Sequence, residues 1–331
     1  MKTIKPPQIK KGDSIGIFAL SNPASLDQAK IERAYNFLRA LGFNIIEAKN
    51  LYDKKGHAAG NVADRVKAFH ELYKNKKVKM LLSFWGGMNT HQVLESLDYD
   101  YIKKHPKIIM GYNDTTSLLV AIHKMTGLIC FNGPAVITFV KPELPLVTSE
   151  VFLDIFLTNK KEILLSDSEK FSDNKWYINN QMKWTTNPGR KVHRSGKASG
   201  QIIGGNMGTM LLLAGTKYWP SFKNKILVIE EDESESTQSI DRFFTQLRQM
   251  GVFKEITGLV IGRFARCVGF KDTDSLDMIL NEALRGYKFP VITEVDFGHT
   301  DPLWTIPLGA KMCLDTKKKV IKILGPVLSL S

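Results

Sequence analysis

Short apolar runs alternate with amphipathic segments through the first part of the chain. Turn-forming residues such as Gly, Asn and Pro follow the apolar runs, and the segments between them repeat hydrophobic residues with the period of a helix. The pattern predicts strands over 14–20, 44–48, 78–83, 107–110 and 128–131, and helices over 27–41, 62–75, 92–97 and 115–125. This alternation predicts a parallel sheet covered on both faces, with a ligand cleft at the carboxyl ends of its strands.

The second half of the chain follows a similar pattern after a polar interval. It predicts a Gly-rich turn at 204–206, strands over 226–229, 259–264 and 291–295, helices over 207–214, 237–250 and 275–284, and a hairpin over 311–324. Residues 158–202 are rich in Lys, Asn and Ser and only weakly periodic. We therefore predict an N-terminal α/β domain over 1–160, a linker with a mobile loop over 161–200, and a C-terminal domain over 201–331.

The composition is that of a globular chain with a basic surface. The 331 residues are 43% hydrophobic and 24% charged, which is enough for a large core and two domains. The formal net charge of +13 comes mainly from Lys residues spread along the chain in pairs and short runs. No clustered Arg or recognisable binding motif accompanies them, so we expect no nucleic-acid partner. The surplus fits a solvated surface or the attraction of an anionic substrate.

The residues that would indicate a metal, a disulfide or a membrane segment are scattered or absent. Cys130, Cys267 and Cys313 lie far apart in apolar stretches and are expected to be buried free thiols. The seven His residues form no metal-binding pattern. Residues 1–7 lack the apolar core of a signal peptide, and no apolar run approaches membrane length. We expect a cytoplasmic protein without a cofactor or a membrane partner.

Residues 107–125 read as a buried strand, a sharp turn and an amphipathic helix. Gly111 suits the tight turn, and Asn113 stands where the nucleophile of a strand-to-helix elbow would stand. The start of the helix would offer N–H groups and a positive dipole to an oxyanion. An ordinary turn, with Asn113 and Asp114 as the helix cap, explains the same residues.

Two further polar groups follow predicted strands of the second half. Residues 230–233 are all acidic and follow the strand at 226–229, while His299 follows the strand at 291–295. A Glu and a His placed in this way would supply an orienting acid and a base to a nucleophile carried by the other domain. Each is also typical of a solvated strand end or an ordinary loop residue.

A series of different short motifs lies in order along nearly the whole chain. They are Lys-Gly-Asp-Ser-Ile-Gly-Ile at 11–17, Gly-Gly-Met-Asn-Thr at 86–90, Leu-Asp-Tyr-Asp at 97–100, Pro-Lys-Ile-Ile-Met-Gly-Tyr-Asn-Asp-Thr-Thr at 106–116, Phe-Asn-Gly-Pro at 131–134, Gly-Gly-Asn at 204–206, the acidic strand end, Gly-His-Thr at 298–300 and Pro-Leu-Gly at 307–309. With them the chain resembles the LD-carboxypeptidase family of serine peptidases, and more closely its microcin C immunity branch. The resemblance implies a flavodoxin-like parallel-sheet N-terminal domain, a smaller mixed, β-rich C-terminal domain, and a homodimer without metal.

The resemblance also assigns roles to particular residues. It implies a Ser-Glu-His triad in which Asn113 occupies the nucleophile position, Glu231 is the acid and His299 is the base. Glu230 is the alternative acid, because one sequence cannot fix the register at the strand end. The oxyanion donors correspond to the backbone N–H groups of Gly87 and Asp114. We further assign substrate contacts to Gly86, Asn89, Trp176, Trp184 and Asn206.

Position 113 departs from the family pattern. The family has Gly-x-Ser-Asp-x-Thr where this chain has Gly-Tyr-Asn-Asp-Thr-Thr at 111–116. The nitrogen of an amide is delocalised into its carbonyl, so His299 cannot make Asn113 a competent nucleophile, and acyl-enzyme formation should fail. Either the chain is an inactive form made by substitution, which the retained Gly-Gly, Glu and His favour, or it is a natural non-catalytic relative.

The family acts on two kinds of amide. One branch removes the terminal D-amino acid from murein peptides, and the other cleaves the amide between an aminoacyl group and a nucleotide-like phosphoramidate. The Gly-Met-Asn-Thr version of the turn and the loop with Trp176 and Trp184 resemble the second branch. An indole would stack on a nucleobase, although packing of the loop explains both tryptophans as well. A murein tetrapeptide is the alternative substrate, and ligand binding without catalysis is the alternative function.

Overall fold

The first sheet contains the strands predicted for the N-terminal half. The structure, a computed structural model, describes residues 2–330 and their side chains except those of residues 178 and 179. The strands are Ser14–Phe18 (β1), Asn44–Glu47 (β2), Val78–Ser83 (β3), Ile108–Gly111 (β4) and Cys130–Asn132 (β5). They run parallel in the order β2-β1-β3-β4-β5. The predicted parallel sheet is confirmed.

Helices and one 3-10 helix connect these strands. They are Gln28–Ala40 (α1), Val62–Lys74 (α2), Tyr99–Lys104 (α3), Thr115–Thr126 (α4), Val136–Phe139 (α5) and Leu146–Phe156 (α6), with the 3-10 helix at Thr90–Ser96. Strand β1 is buried along its whole length, as expected when both faces of a parallel sheet are covered. The helix predicted at 92–97 is wrong: the segment is the 3-10 helix. Asp98 then caps α3 by accepting a hydrogen bond from the Tyr101 N–H, so a new helix begins there.

The second sheet has eight strands and both parallel and antiparallel pairs. The remaining strands of the chain are Glu162–Leu164 (β6), Lys170–Phe171 (β7), Thr185–Thr186 (β8), Lys191–Arg194 (β9), Lys197–Asn206 (β10), Lys225–Glu230 (β11), Gly258–Gly262 (β12), Val291–Val295 (β13), Ile306–Leu308 (β14), Lys311–Asp315 (β15) and Val320–Leu324 (β16). Helices Trp176–Asn179 (α7), Met207–Leu211 (α8), Thr237–Gln249 (α9), Val252–Glu255 (α10) and Leu276–Ala283 (α11) lie between them, with a 3-10 helix at Arg266–Val268. The sheet order is β6-β16-β15-β10-β11-β12-β13-β9, in which β10 to β13 are parallel. The predicted mixed, strand-rich C-terminal part is confirmed.

Residues 161–200 do more than link two domains. Strand β6 pairs with β16 at one edge of the second sheet, and β9 pairs with β13 at the other. The expectation of a linker is therefore wrong for these stretches. Strand β6 buries one residue of three and β9 has no fully buried residue, so their sequence carries no clear period.

The Gly-rich stretch at 204–206 is the end of a strand and not a turn. Strand β10 runs through it, and Asn206 then caps α8 by accepting a hydrogen bond from the Thr209 N–H. A side chain at Gly205, whose φ is +131°, would overlap Asn132 of β5 and Thr116 of α4, which both belong to the N-terminal half. Glycine therefore lets the two halves of the chain approach closely at this point.

The two halves are joined by a strand and by a buried ion pair. Strand β14, from the C-terminal part, pairs antiparallel with β5 and completes the six-stranded first sheet. Lys141 donates to both carboxylate oxygens of Asp301, at 2.5 and 2.7 Å, and less than a tenth of either side chain is exposed. Asp301 lies two residues beyond His299, so this ion pair ties the loop of His299 to the N-terminal half.

We expect Lys141→Met to destabilise the protein. The substitution leaves the Asp301 carboxylate buried without its partner, which costs about 3–5 kcal/mol of unfolding free energy. Urea unfolding followed by circular dichroism measures the loss. Lys30→Met, which removes an exposed ion pair with Asp27, is the matched control and should change stability far less. Equal effects of the two substitutions would contradict a larger contribution of the buried pair to stability.

Between residues 2 and 330, the structure contains no helix that is both long enough and apolar enough to cross a membrane.

Candidate active site

Asn113 lies in a sharp turn between β4 and α4. Strand β4 ends at Gly111, and α4 begins at Thr115. The backbone of Asn113 has a φ of +58°, in the left-handed region that few non-glycine residues adopt. Asn tolerates this region better than most residues, and such strain is concentrated at functional sites. The predicted strand-turn-helix is therefore present, with residue 113 at its apex.

A second turn, at Gly86 and Gly87, packs against the Asn113 side chain. The Gly87 N–H donates a hydrogen bond to Asn113 Oδ1 at 3.2 Å. A side chain at Gly86 would overlap the Asn113 carboxamide, so only glycine allows this approach. The carboxylate of Asp114 accepts hydrogen bonds from the N–H groups of Asn89 and Thr90, both at 2.8 Å. Asp114 thus fixes the segment that follows the Gly-Gly turn.

His299 contacts Glu230 and not Glu231. Its Nδ1 lies 2.6 Å from Glu230 Oε2, and Glu230 is fully buried at the end of β11. The preferred sequence assignment of Glu231 is wrong for this contact, and the alternative, Glu230, makes it. Consecutive side chains at a strand end point to opposite faces, so only one of the two can face the loop of His299.

The side chain of Glu231 lies on the other face of the strand end and makes different contacts. It accepts hydrogen bonds from Asn206 Nδ2 at 2.6 Å, from the Gly208 N–H at 2.7 Å and from the Asp232 N–H at 3.0 Å. Burial, with the charge of Glu230, raises the pKa of Glu231 to about 7. Glu231 therefore holds the start of α8 against the strand end.

His299 and Asn113 meet although 186 residues separate them in the sequence. His299 Nε2 lies 2.9 Å from Asn113 Nδ2, so the two predicted residues converge. Asp232 Oδ2 lies 3.2 Å from His299 Nε2 and 3.3 Å from Asn113 Nδ2. Sequence reasoning missed Asp232, whose only signal was its place in the acidic run at 230–233.

Three carboxylates determine the charge of His299. Burial opposes its protonation, but Glu230, Asp232 and Glu233 outweigh burial and raise the pKa of His299 to about 10. Burial likewise works against the charge of Asp232, and His299 with Ser234 overcomes it and lowers the pKa of Asp232. The arrangement favours an imidazolium between carboxylates in the free protein.

The aromatic residues near the site are arranged differently from the prediction. Trp176 is 6% exposed and belongs to the hydrophobic core, so the substrate contact predicted for it is wrong for this structure. Trp184 is half-buried and donates a hydrogen bond from Nε1 to Glu143. Tyr177 is 49% exposed, and its hydroxyl lies 3.4 Å from Glu233 at the acidic strand end. Tyr177 is thus an accessible aromatic side chain beside the site.

Two of the residues predicted to contact the substrate have side chains that are bonded within the protein or buried. Asn206 donates to Glu231 and accepts from the Thr209 N–H, so both ends of its carboxamide are bonded. Asn89 is buried, and its Oδ1 has no hydrogen-bond partner among residues 2–330. Within the same part of the chain, no group of three or more His, Cys, Asp and Glu side chains is placed to hold a metal ion.

The fold and this cluster define an α/β protein with two large sheets, whose polar residues meet where strand ends of both sheets come together. Family models identify it further: the LD-carboxypeptidase N-terminal domain matches residues 15–133, and the LD-carboxypeptidase C-terminal domain matches residues 199–314. The chain belongs to the LD-carboxypeptidase family.

Similar proteins agree with this assignment. A putative carboxypeptidase of Treponema pallidum is 35% identical, over 95% of this chain and 93% of its own length. The microcin C7 self-immunity protein MccF of Escherichia coli is 34% identical, over 96% of this chain and 95% of its own. A structure of MccF in complex with aspartyl sulfamoyl adenosine superposes with a TM-score of 0.91 at 33% identity, covering 98% of this chain and 100% of that one. These relatives place the chain in the microcin C immunity-like branch.

Proposed function

We propose that this site belongs to a serine-type amidase of the microcin C immunity-like branch. The observation that carries the proposal is that Gly87 and His299 both contact residue 113 while Glu230 contacts His299 from its other ring nitrogen. In this proposal a Ser at 113 is the nucleophile, His299 takes its proton and returns it to the leaving amine, and Glu230 holds the imidazole tautomer. The N–H groups of Gly87 and Asp114 stabilise the oxyanion. With Asn113 the chain binds substrate without turnover.

The proposed substrate is the amide between an aminoacyl group and a phosphoramidate or sulfamoyl nucleotide. The MccF complex with aspartyl sulfamoyl adenosine supports this class of ligand. The net charge of +13 suits a ligand with a phosphate. A homodimer stays a prediction from the family resemblance, and a cytoplasmic location stays a prediction from the sequence. The murein tetrapeptide remains the alternative substrate, because the family models are those of LD-carboxypeptidases.

Calorimetric titration of the unaltered chain tests the proposal. We expect it to bind aspartyl sulfamoyl adenosine more tightly than a murein tetrapeptide, and to leave both intact. Tighter binding of the tetrapeptide would move the chain to the murein-recycling branch. Cleavage of either ligand by the Asn113 chain would contradict the assignment of residue 113 as the missing nucleophile.

We expect Tyr177→Ala to weaken the binding of aminoacyl sulfamoyl adenosine by about 1–3 kcal/mol, the usual cost of losing an aromatic stacking partner of a base. The exposure of Tyr177 beside the acidic strand end favours it over Trp184, whose indole N–H is already bonded to Glu143. Titration of Tyr177→Ala and Trp184→Ala with the same ligand separates the two. A loss in Trp184→Ala alone would restore the assignment made from the sequence.

We expect Asp232→Asn, in an Asn113→Ser background, to shift the acid limb of the kcat/KM profile to lower pH. With Asp232 present, the pKa of His299 is about 10, so the neutral base becomes more abundant as pH rises towards that value. Without Asp232 the pKa of His299 falls, and activity near neutral pH rises about tenfold for each unit that it falls. Asp27→Asn, a distant exposed carboxylate, is the control. Identical profiles for the two variants would contradict this electrostatic role.

A further inference from the structure

The carboxamide of Asn113 lies in the site as an amide substrate would. Its carbonyl oxygen accepts from the Gly87 N–H, and its nitrogen lies 2.9 Å from His299 Nε2 and 3.3 Å from Asp232 Oδ2. The assignment of its two ends follows from chemistry, because only the oxygen can accept from Gly87. The closeness of Gly86 leaves the carboxamide little room to turn away.

We propose that the site hydrolyses the side-chain amide of Asn113 itself, giving Asp at position 113 and ammonia. The oxygen of a water molecule bonds to Cγ of Asn113, and the proton that this water loses passes to Asp232 Oδ2. The Cγ–Nδ2 bond breaks as His299 Nε2 gives its proton to the nitrogen, which leaves as ammonia. Asp232 then returns a proton to His299, 3.2 Å away, and the new carboxyl group ionises. The balance is one amide and one water to one carboxylic acid and one ammonia.

Each contact of the carboxamide suits one stage of this reaction. The Gly87 N–H stabilises the negative oxygen that forms when water adds. The nitrogen becomes basic once that addition ends its delocalisation, and His299 then lies within hydrogen-bond reach to protonate it. Glu230 keeps the imidazole in place from Nδ1. The charges of both partners agree with their parts, because Asp232 is held ionised and His299 is held protonated.

The usual spontaneous route of Asn deamidation is disfavoured here. It needs the backbone nitrogen of the next residue, Asp114, to close onto Cγ, which yields isoaspartate together with aspartate. The turn holds the backbone on both sides of that nitrogen, because the Thr115 N–H bonds to Tyr112 O and the Thr116 N–H bonds to Asn113 O. Attack by water yields aspartate alone. The two routes therefore leave different products.

Asn159 is a matched control within the same chain. Its backbone is also in the left-handed region, with a φ of +47°, but its side chain is buried whereas Asn113 is half-buried. Both ends of its carboxamide are bonded to the backbone of Leu328, and neither meets a His or a carboxylate. A difference in reactivity between Asn113 and Asn159 therefore does not come from the left-handed backbone, and the His299 and Asp232 variants separate the effect of the surrounding groups from that of the different burial.

Incubation of the purified chain in oxygen-18 water, followed by peptide mapping with mass spectrometry, tests the inference. We expect Asn113 to convert to Asp about 100-fold faster than Asn159, since general acid–base catalysis contributes roughly 10²–10⁴-fold. The product should carry one oxygen-18 atom and no isoaspartate. In His299→Gln and Asp232→Asn, checked for folding by circular dichroism, conversion should slow about tenfold or more. Equal rates at Asn113 and Asn159, or isoaspartate at 113, would overturn the inference without use of any variant.

The inference rests on the same groups as the proposed function, but its test uses no external substrate. An Asn113→Ser variant that cleaves aminoacyl sulfamoyl adenosine, together with an unaltered chain whose Asn113 stays intact, would overturn the self-hydrolysis alone. Conversion of Asn113 together with an inactive, folded Asn113→Ser variant would overturn the proposed substrate and leave the self-hydrolysis standing.

Discussion

We expect Asn113→Ser to raise the hydrolysis of aminoacyl sulfamoyl adenosine by about 10³-fold or more. Removal of the nucleophile from a serine hydrolase costs roughly 10⁶-fold in kcat. The gain expected here is smaller than that cost, because the surroundings of residue 113 are not optimised for Ser. The groups that would activate a Ser are already in position, because His299 Nε2 faces residue 113 and Gly87 faces it from the other side. Ser suits a helix start but tolerates the left-handed backbone of residue 113 less readily than Asn, so we expect a modest loss of stability, which thermal unfolding measures.

Chromatographic detection of the released nucleotide analogue measures this gain. Asn113→Ala is the matched control, because it frees the same space without a hydroxyl group and should stay inactive. Both variants are also assayed with a murein tetrapeptide, and cleavage of only that substrate would select the alternative function. A folded Asn113→Ser variant that neither binds nor cleaves either compound would favour the non-catalytic relative.

We expect Glu230→Gln, in the Asn113→Ser background, to lower kcat by about 10⁴-fold. This is the cost of the corresponding change in a Ser-His-Asp enzyme, where the amide permits the wrong tautomer of the imidazole. Glu230 Oε2 lies 2.6 Å from His299 Nδ1, so the same consequence should follow here. The pKa of His299 should also fall, because Glu230 is the carboxylate that raises it most.

Glu231→Gln is the matched control for this second prediction. Its carboxylate bonds to Asn206 and to the Gly208 N–H and does not reach His299, so we expect a loss of stability and a much smaller change in kcat. Steady-state kinetics and thermal unfolding on both variants separate the two effects. Similar losses of kcat in folded Glu230→Gln and Glu231→Gln would contradict the assignment of Glu230 as the orienting acid.

The sequence located the site because its motifs mark strand ends. Asn113, Gly87 and His299 each follow a buried strand, and the structure brings all three together. The choice between Glu230 and Glu231 could not be made in that way, since it depends on which face of β11 each side chain takes at its last residue. Asp232 escaped notice for the same reason: its distance from His299 depends on the path of the loop after β11.

The sequence could not separate a buried Trp from an accessible one, because composition does not report burial, and the stacking role of Trp184 stays a prediction. Trp176 and Trp184 stand out in a polar segment, but Trp176 packs into the core and Trp184 bonds to Glu143. The neighbouring Tyr177 is the exposed one. The edge strands β6 and β9 of the same segment were not predicted. They form by pairing with β16 and β13, and their own sequence has no hydrophobic period that would indicate a strand.

Labelling with a fluorophosphonate tests the central claim most directly, because this reagent reacts with a Ser hydroxyl only where a base activates it. We expect Asn113→Ser to take up one phosphonyl group, located at position 113 by peptide mass spectrometry. We expect the unaltered chain to take up none, and a further His299→Gln substitution to slow labelling by about 100-fold or more. Labelling at another residue, or a rate at position 113 that does not depend on His299, would contradict the claim that His299 and Glu230 form an activating pair at this elbow.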